Sequence, residues 1–173
     1  MKVTRWEQIA TKTGDAGKSK NYNDMAFKKD DILFETLGTI DELSSFLGLT
    51  YHESQEQIIK TIQENLQHIN AMVATDPRSK LYQRLTYITD HDIAFLEDNI
   101  QSILNTHPSN DTFYLPGTEK SKAGAYFDVC RTIARRAERR LVSYQSKHKR
   151  KDLSAAQKYL NRLSDLLFVL SLK

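Results

Sequence analysis

One cysteine, Cys130, three prolines and six glycines are all that 173 residues hold of these types. A lone cysteine excludes an intramolecular disulfide and a cysteine-based zinc site. So few prolines and glycines leave room for long uninterrupted helices. The apolar end of the chain, Leu166 to Leu172, is too short to span a bilayer. Neither sign of charge dominates: 25 basic residues stand against 22 acidic ones, a net charge of +3. That balance gives no reason to expect a nucleic-acid partner, although the basic residues cluster. Residues 1–10 are polar, with Arg5, Trp6 and Glu7, and do not read as a signal peptide. The expectation is a cytoplasmic protein with no membrane attachment. With 39% hydrophobic and 27% charged residues the chain is globular. It is most simply one domain spanning 1–173.

What the chain does have is arginine. Between Cys130 and Arg140 there are five arginines and one glutamate. On a helix, Arg131, Arg135 and Glu138 fall within roughly 60° of one another. Cys130, Ile133, Ala134, Ala137 and Leu141 centre on a different direction, and Arg136 and Arg139 lie between. One face packs and its flank carries a row of guanidinium groups. Their planar donors match carboxylate and phosphate oxygens. A polyphosphate site is one reading of this row, and a solvated face is the other.

The first 29 residues read as an irregular arm. Within it, Thr11-Lys12-Thr13-Gly14-Asp15-Ala16-Gly17-Lys18-Ser19-Lys20 combines glycines, hydroxyls and lysines. Such a loop suits an anion, or it is an ordinary mobile terminus. It is not a Walker A loop, because position 12 is Lys where that motif needs Gly.

Five helices follow from periodicity: about 30–51, 54–73, 90–105, 118–147 and 152–172. Leu33, Leu37, Ile40, Leu43 and Leu47 mark the inner stripe of the first. Its Gly38, Asp41, Ser45 and Gly48 share another face, where a helix or ligand could approach closely. Ser54-Gln55-Glu56-Gln57 reads as a capping box opening the second helix. His68 reads as a surface or capping histidine, and His91 and His107 stand near no cysteine or carboxylate at a recognisable metal-ligand spacing. Phe113-Tyr114-Leu115-Pro116-Gly117 is an aromatic segment before the arginine helix. Lys147 to Lys151 reads as a solvated basic turn. In the fifth helix, Asn161 and Asp165 need partners to be tolerable among leucines. The expected fold is all-α: a five-helix bundle in a ferritin-like up-down arrangement, with an irregular N-terminal phosphate-binding arm.

Five blocks in order closely resemble the PduO-type ATP:cob(I)alamin adenosyltransferases. They are Thr11 to Gly17, Gly38 to Ser45, Phe113 to Gly117, Arg131 to Arg139, and Asn161 to Asp165. The resemblance runs from Thr11 to Leu170. It implies a homotrimer with active sites between subunits, and transfer of the 5′-deoxyadenosyl group of ATP to the cobalt of cob(I)alamin. Adenosylcobalamin and triphosphate are the products, and Mg2+ accompanies the phosphates. No side chain is implied as its ligand. A corrinoid reductase and an adenosylcobalamin-dependent enzyme are the implied partners.

By the same resemblance, Thr11, Lys12, Thr13, Gly14, Ser19 and Lys20 wrap the triphosphate and Lys29 reaches its oxygens. Arg135, Arg136, Glu138 and Arg139 come from the facing subunit. Asn161 holds the nucleotide from the last helix. Asp41 and Arg131 match the family's inter-subunit ion pair. Phe113 matches the aromatic residue beneath the corrin, where it displaces the lower axial ligand. The sequence departs from the family pattern after Gly117, where Thr118-Glu119-Lys120 replaces a second glycine.

Two readings from other classes compete. One is an ATP-binding corrinoid carrier or sensor of the same fold with little turnover. The other is a basic helical module that binds RNA; it predicts binding steeply dependent on salt and indifferent to cobalamin.

Overall fold

The computed structural model describes residues 3–10, 12, 14–109, 114–118 and 120–173. Five long helices make the body: α1 (Ile32–Ser54), α2 (Ile58–Ala74), α3 (Asp90–Thr106), α4 (Lys122–His148) and α5 (Ser154–Ser171). Cross-helix bonds fix their directions. Asp31 meets Lys147, Thr36 bonds the Arg140 carbonyl and Thr50 meets Cys130, so α1 and α4 are antiparallel. Gln63 donates to the Ser44 carbonyl and Asn70 to Asp41, so α2 runs back along α1. Glu138 meets Asn161 across α4 and α5. The expected up-down order holds.

The core follows the predicted stripes. Leu33, Ile40, Leu43 and Leu47 of α1 are buried against Ile133, Ala137 and Leu141 of α4 and Leu160, Leu163 and Leu167 of α5. Leu37, Ile58, Ile100, Ile103 and Leu104 are only half-buried at its edge. Burying each large aliphatic side chain is worth about 1.5–3 kcal/mol, and these stripes supply the main stabilisation of the bundle.

Four expectations change. The arm is not wholly irregular: β1 (Lys18–Lys20) and β2 (Ala26–Lys28) pair antiparallel, with Ser19 opposite Phe27. The proposed capping box belongs to the end of α1. Ser54 is that helix's last residue, Gln55 adopts φ 56 and terminates it, and α2 starts without a side-chain cap. Helix α4 begins at Lys122 rather than near residue 118. Gly117 at φ 89 makes a turn in which Thr118 bonds the Leu115 carbonyl, and the Ser121 side chain then caps α4 by accepting from the Gly124 amide. The basic run closing α4 is not all solvated, because Arg150 is 5% exposed.

Candidate active site

The α4 row has two flanks with different neighbours. On the α1 side, Arg136 pairs with Glu42 and Arg140 with Glu35 at 3.5 Å. On the α5 side, the Asn161 amide nitrogen donates to Glu138 Oε1 at 3.2 Å. The Asn161 carbonyl oxygen accepts from Arg162 at 2.8 Å, so both ends of the amide are engaged. These residues line a cleft of about 490 Å³ between α3, α4 and α5, with Ile93, Glu97, Gln157 and Lys158 completing its wall. The partners that Asn161 was expected to need are Glu138 and Arg162.

Arg135 is exposed and, among the described residues, neither it nor Arg139 has an acidic partner. A guanidinium one helical turn before Glu138 with no carboxylate to neutralise it is available to an anion. Arg131 donates through Nε to Asp128 at 2.7 Å, which leaves its terminal nitrogens clear of that bond. Asp41 accepts from Asn70 at 2.6 Å. Burial raises its pKa above the usual carboxylate value and outweighs the lowering by the Asn70 bond. Asp41 and Arg131 therefore have separate partners within one chain.

The arm brings a second cationic group. Lys12 and Gly17 both adopt positive φ, at 56° and 72°, which curls the loop back on itself. The Lys29 amide then donates to the Gly17 carbonyl at 2.9 Å. The Lys29 ammonium lies so close to Gly14 that a Cβ there would stand 2.9 Å from Nζ. Loop and ammonium form one cradle. Ser19 is half-buried in β1, and Lys20 is exposed with Asp24 at 3.4 Å. Thr11, Thr13 and Phe113 lie outside the described residues. Tyr114, next to Phe113, packs its ring against Phe168 of α5 at 6.4 Å between centroids.

Cradle and row stand at different levels of the bundle. The arm joins α1 at Asp31, opposite Lys147. Arg135 is twelve positions earlier on α4, roughly 18 Å along the axis at 1.5 Å per residue.

Sequence reasoning missed Arg150. Its signal is weak, because the partners that set it apart lie 68 or more positions away: Met72 and Thr75 offer carbonyls, and Tyr82 stacks at 5.4 Å. Among the described residues no cluster of three His, Cys, Asp or Glu side chains could hold a metal. No helix there is long and apolar enough to cross a membrane.

Residues 9–173 match the model of the family described as cobalamin adenosyltransferase. The human corrinoid adenosyltransferase MMAB is 37% identical over 98% of this chain and 70% of its own length. A corrinoid adenosyltransferase from Citrobacter freundii is 35% identical over 93% of this chain and 91% of its own. The backbone superposes with a TM-score of 0.83 on a variant PduO-type ATP:corrinoid adenosyltransferase from Lactobacillus reuteri complexed with cobalamin and ATP. That match has 26% identity and covers 94% of this chain and 88% of the other.

Proposed function

Since the chain belongs to the cobalamin adenosyltransferase family, we propose that it transfers the 5′-deoxyadenosyl group of ATP to the cobalt of cob(I)alamin. The observation that carries this at the level of residues is the Glu138–Asn161 pair at an open cleft, with Arg135, one helical turn before Glu138 on α4, exposed and without an acidic partner among the described residues. Cob(I)alamin is itself the nucleophile: its cobalt electron pair forms the bond to C5′, the C5′–O bond breaks, and triphosphate leaves with the electron pair of that C5′–O bond. The protein has no bond to make, which agrees with the scarcity of nucleophiles here. Its single cysteine is buried and its thiol pKa is pushed up to about 11, first by burial.

The work left to the side chains is positioning and charge stabilisation. Lys12, Gly14, Ser19, Lys20 and Lys29 receive the triphosphate on the arm, together with Thr11 and Thr13. Arg135, Arg136 and Arg139 face the same charge from α4, and Asn161 with Glu138 orients the nucleoside. Mg2+ shares the phosphate charge and is carried by the phosphate oxygens. The donor set suits this, since the arm carries Lys12, Lys18, Lys20 and Lys29 and the described residues hold no cluster of three His, Cys, Asp or Glu side chains. Phe113 lies beneath the corrin.

The axial offset between cradle and arginine row supports a site completed by a neighbouring copy, in a homotrimer joined by Asp41 and Arg131. The exposed Gly38, Asp41 and Ser45 face leaves room for such a neighbour. A corrinoid reductase upstream and an adenosylcobalamin-dependent enzyme downstream are the partners, and the setting is cytoplasmic.

An anaerobic assay with chemically reduced cobalamin, ATP and Mg2+ tests the reading. Loss of cob(I)alamin absorption with stoichiometric triphosphate is expected. ATP binding without turnover would instead establish the carrier or sensor.

A further inference from the structure

Arg150 follows the end of α4 and has φ −85°, ψ 65°, outside the helical region. It is buried, yet every part of its guanidinium is engaged. Nη2 donates to the Met72 carbonyl at 2.7 Å and Nη1 to the Thr75 carbonyl at 3.1 Å. Nε and Nη2 hold Asp152 at 3.0 and 2.8 Å. The Tyr82 and Tyr144 rings flank it at 5.4 and 5.8 Å. Tyr144 adds its own bond to the next carbonyl, Val73, at 3.1 Å.

The bonds to carbonyls all meet the C-terminal end of α2, where a helix leaves carbonyls without partners. Three of the four from Met72 to Thr75 go to Arg150 and Tyr144. The fourth, Ala74, accepts from the Tyr22 amide of the arm at 3.0 Å. Two residues on, the Asp76 amide donates to the Asn23 side chain at 2.6 Å. Tyr22 and Asn23 form the turn between β1 and β2, the hairpin that carries Ser19 and Lys20 and leads into Lys29. The arm thus hangs from a short stretch of α2 whose remaining acceptors are gripped from behind by one buried arginine.

We propose that Arg150 is a positioning residue for nucleotide binding. It touches no substrate; it fixes the end of α2 as the dock that sets where the arm hairpin presents its lysines to the triphosphate. The assignment rests on the proposed function for its link to ATP, but not for its link to the arm. Lysine cannot reproduce it, because three donors on one nitrogen cannot span two carbonyls and a carboxylate held in a plane.

The test uses the full chain, Arg150→Lys and Asn23→Ala. Asn23→Ala cuts the dock from the arm side without disturbing the buried corner, so it reports even where Arg150→Lys folds poorly. Amide hydrogen exchange over residues 18–28 is followed, with ATP affinity by calorimetry and steady-state rates against ATP and reduced cobalamin. Both variants are expected to exchange faster across the hairpin and to raise the ATP KM about tenfold, with kcat and the corrinoid KM within about twofold. Unchanged ATP affinity in Asn23→Ala, or a lower melting temperature of Arg150→Lys with unchanged hairpin exchange, overturns the assignment. Absence of turnover in the unmodified chain would sink the adenosyltransferase reading alone, since exchange and calorimetry still judge Arg150.

Discussion

Glu138 and Asn161 lie 23 positions apart in sequence and share a hydrogen bond of 3.2 Å across the α4–α5 seam. Each makes the other tolerable: a half-buried carboxylate gains a donor, and a half-buried amide gains an acceptor. Glu138→Gln and Asn161→Ala should therefore be non-additive. A double-mutant cycle on kcat/KM is expected to give a coupling of about 0.5–3 kcal/mol. Strict additivity would mean that the two act separately.

Arg135→Ala should separate function from folding. The side chain is exposed and unpaired among the described residues, so melting should shift by no more than about 0.5 kcal/mol equivalent. Turnover should fall at least about a hundredfold, as for loss of a donor aimed at developing charge. Near-normal turnover would remove the arginine row from the mechanism.

Asp41→Ala should act on assembly first. Its carboxylate is partly desolvated and, among the described residues, bonds Asn70 alone. A cation from a neighbour would relieve that. Sedimentation at falling protein concentration should show the variant dissociating at concentrations about tenfold or more higher, with activity following. A fully active assembly of unchanged stability would eliminate the ion pair with Arg131.

Gly14→Ala tests the cradle. The added methyl would meet the Lys29 ammonium at 2.9 Å, and the flexible tip of that lysine gives way more easily than backbone. Stability should change by less than about 1 kcal/mol, while the ATP KM rises several-fold, about fivefold, because the ammonium has been moved. An unchanged ATP KM would separate Lys29 from the phosphates.

Cys130 should be silent to thiol reagents. It is fully buried beside Thr50, with a pKa near about 11, so at pH 8 the thiolate is both scarce and enclosed. Ellman's reagent should label it only at the rate of global unfolding. Fast labelling of the folded protein would contradict the packing of α1 on α4.

The sequence carried the helices because their signal is local: leucines in α1 and α5, and mainly isoleucines in α2, recur at three- and four-residue spacing without reference to the rest of the chain. The candidate polar row is legible in the same way, since Arg131, Arg135 and Glu138 share a helical flank. Boundaries were harder. Ser54 resembles a helix start, but Gln55 in a left-handed conformation makes it a helix end. The arm hairpin escaped notice because three-residue strands such as Lys18–Lys20 have no periodicity to detect. Arg150 escaped notice for the opposite reason. It sits in a run of basic residues that look alike, and only its partners from Met72 to Tyr82 distinguish it.

The two flanks of α4 constrain where this chain can change length. Arg135 and Arg136 are neighbours in sequence, but one stands free and the other is tied to Glu42. A single-residue insertion earlier in the helix would leave composition and net charge almost untouched. It would also turn everything after it by about 100°, so that Ala134 would take the place of Arg135, Arg135 would move to the position facing Glu42, and the Glu138–Asn161 bond would be lost. The same insertion before Ser121 costs nothing of this kind, because the Ser121 cap restarts the phase of the helix. Length variation among relatives should therefore collect in the connection between α3 and α4, and the interior of α4 should carry none.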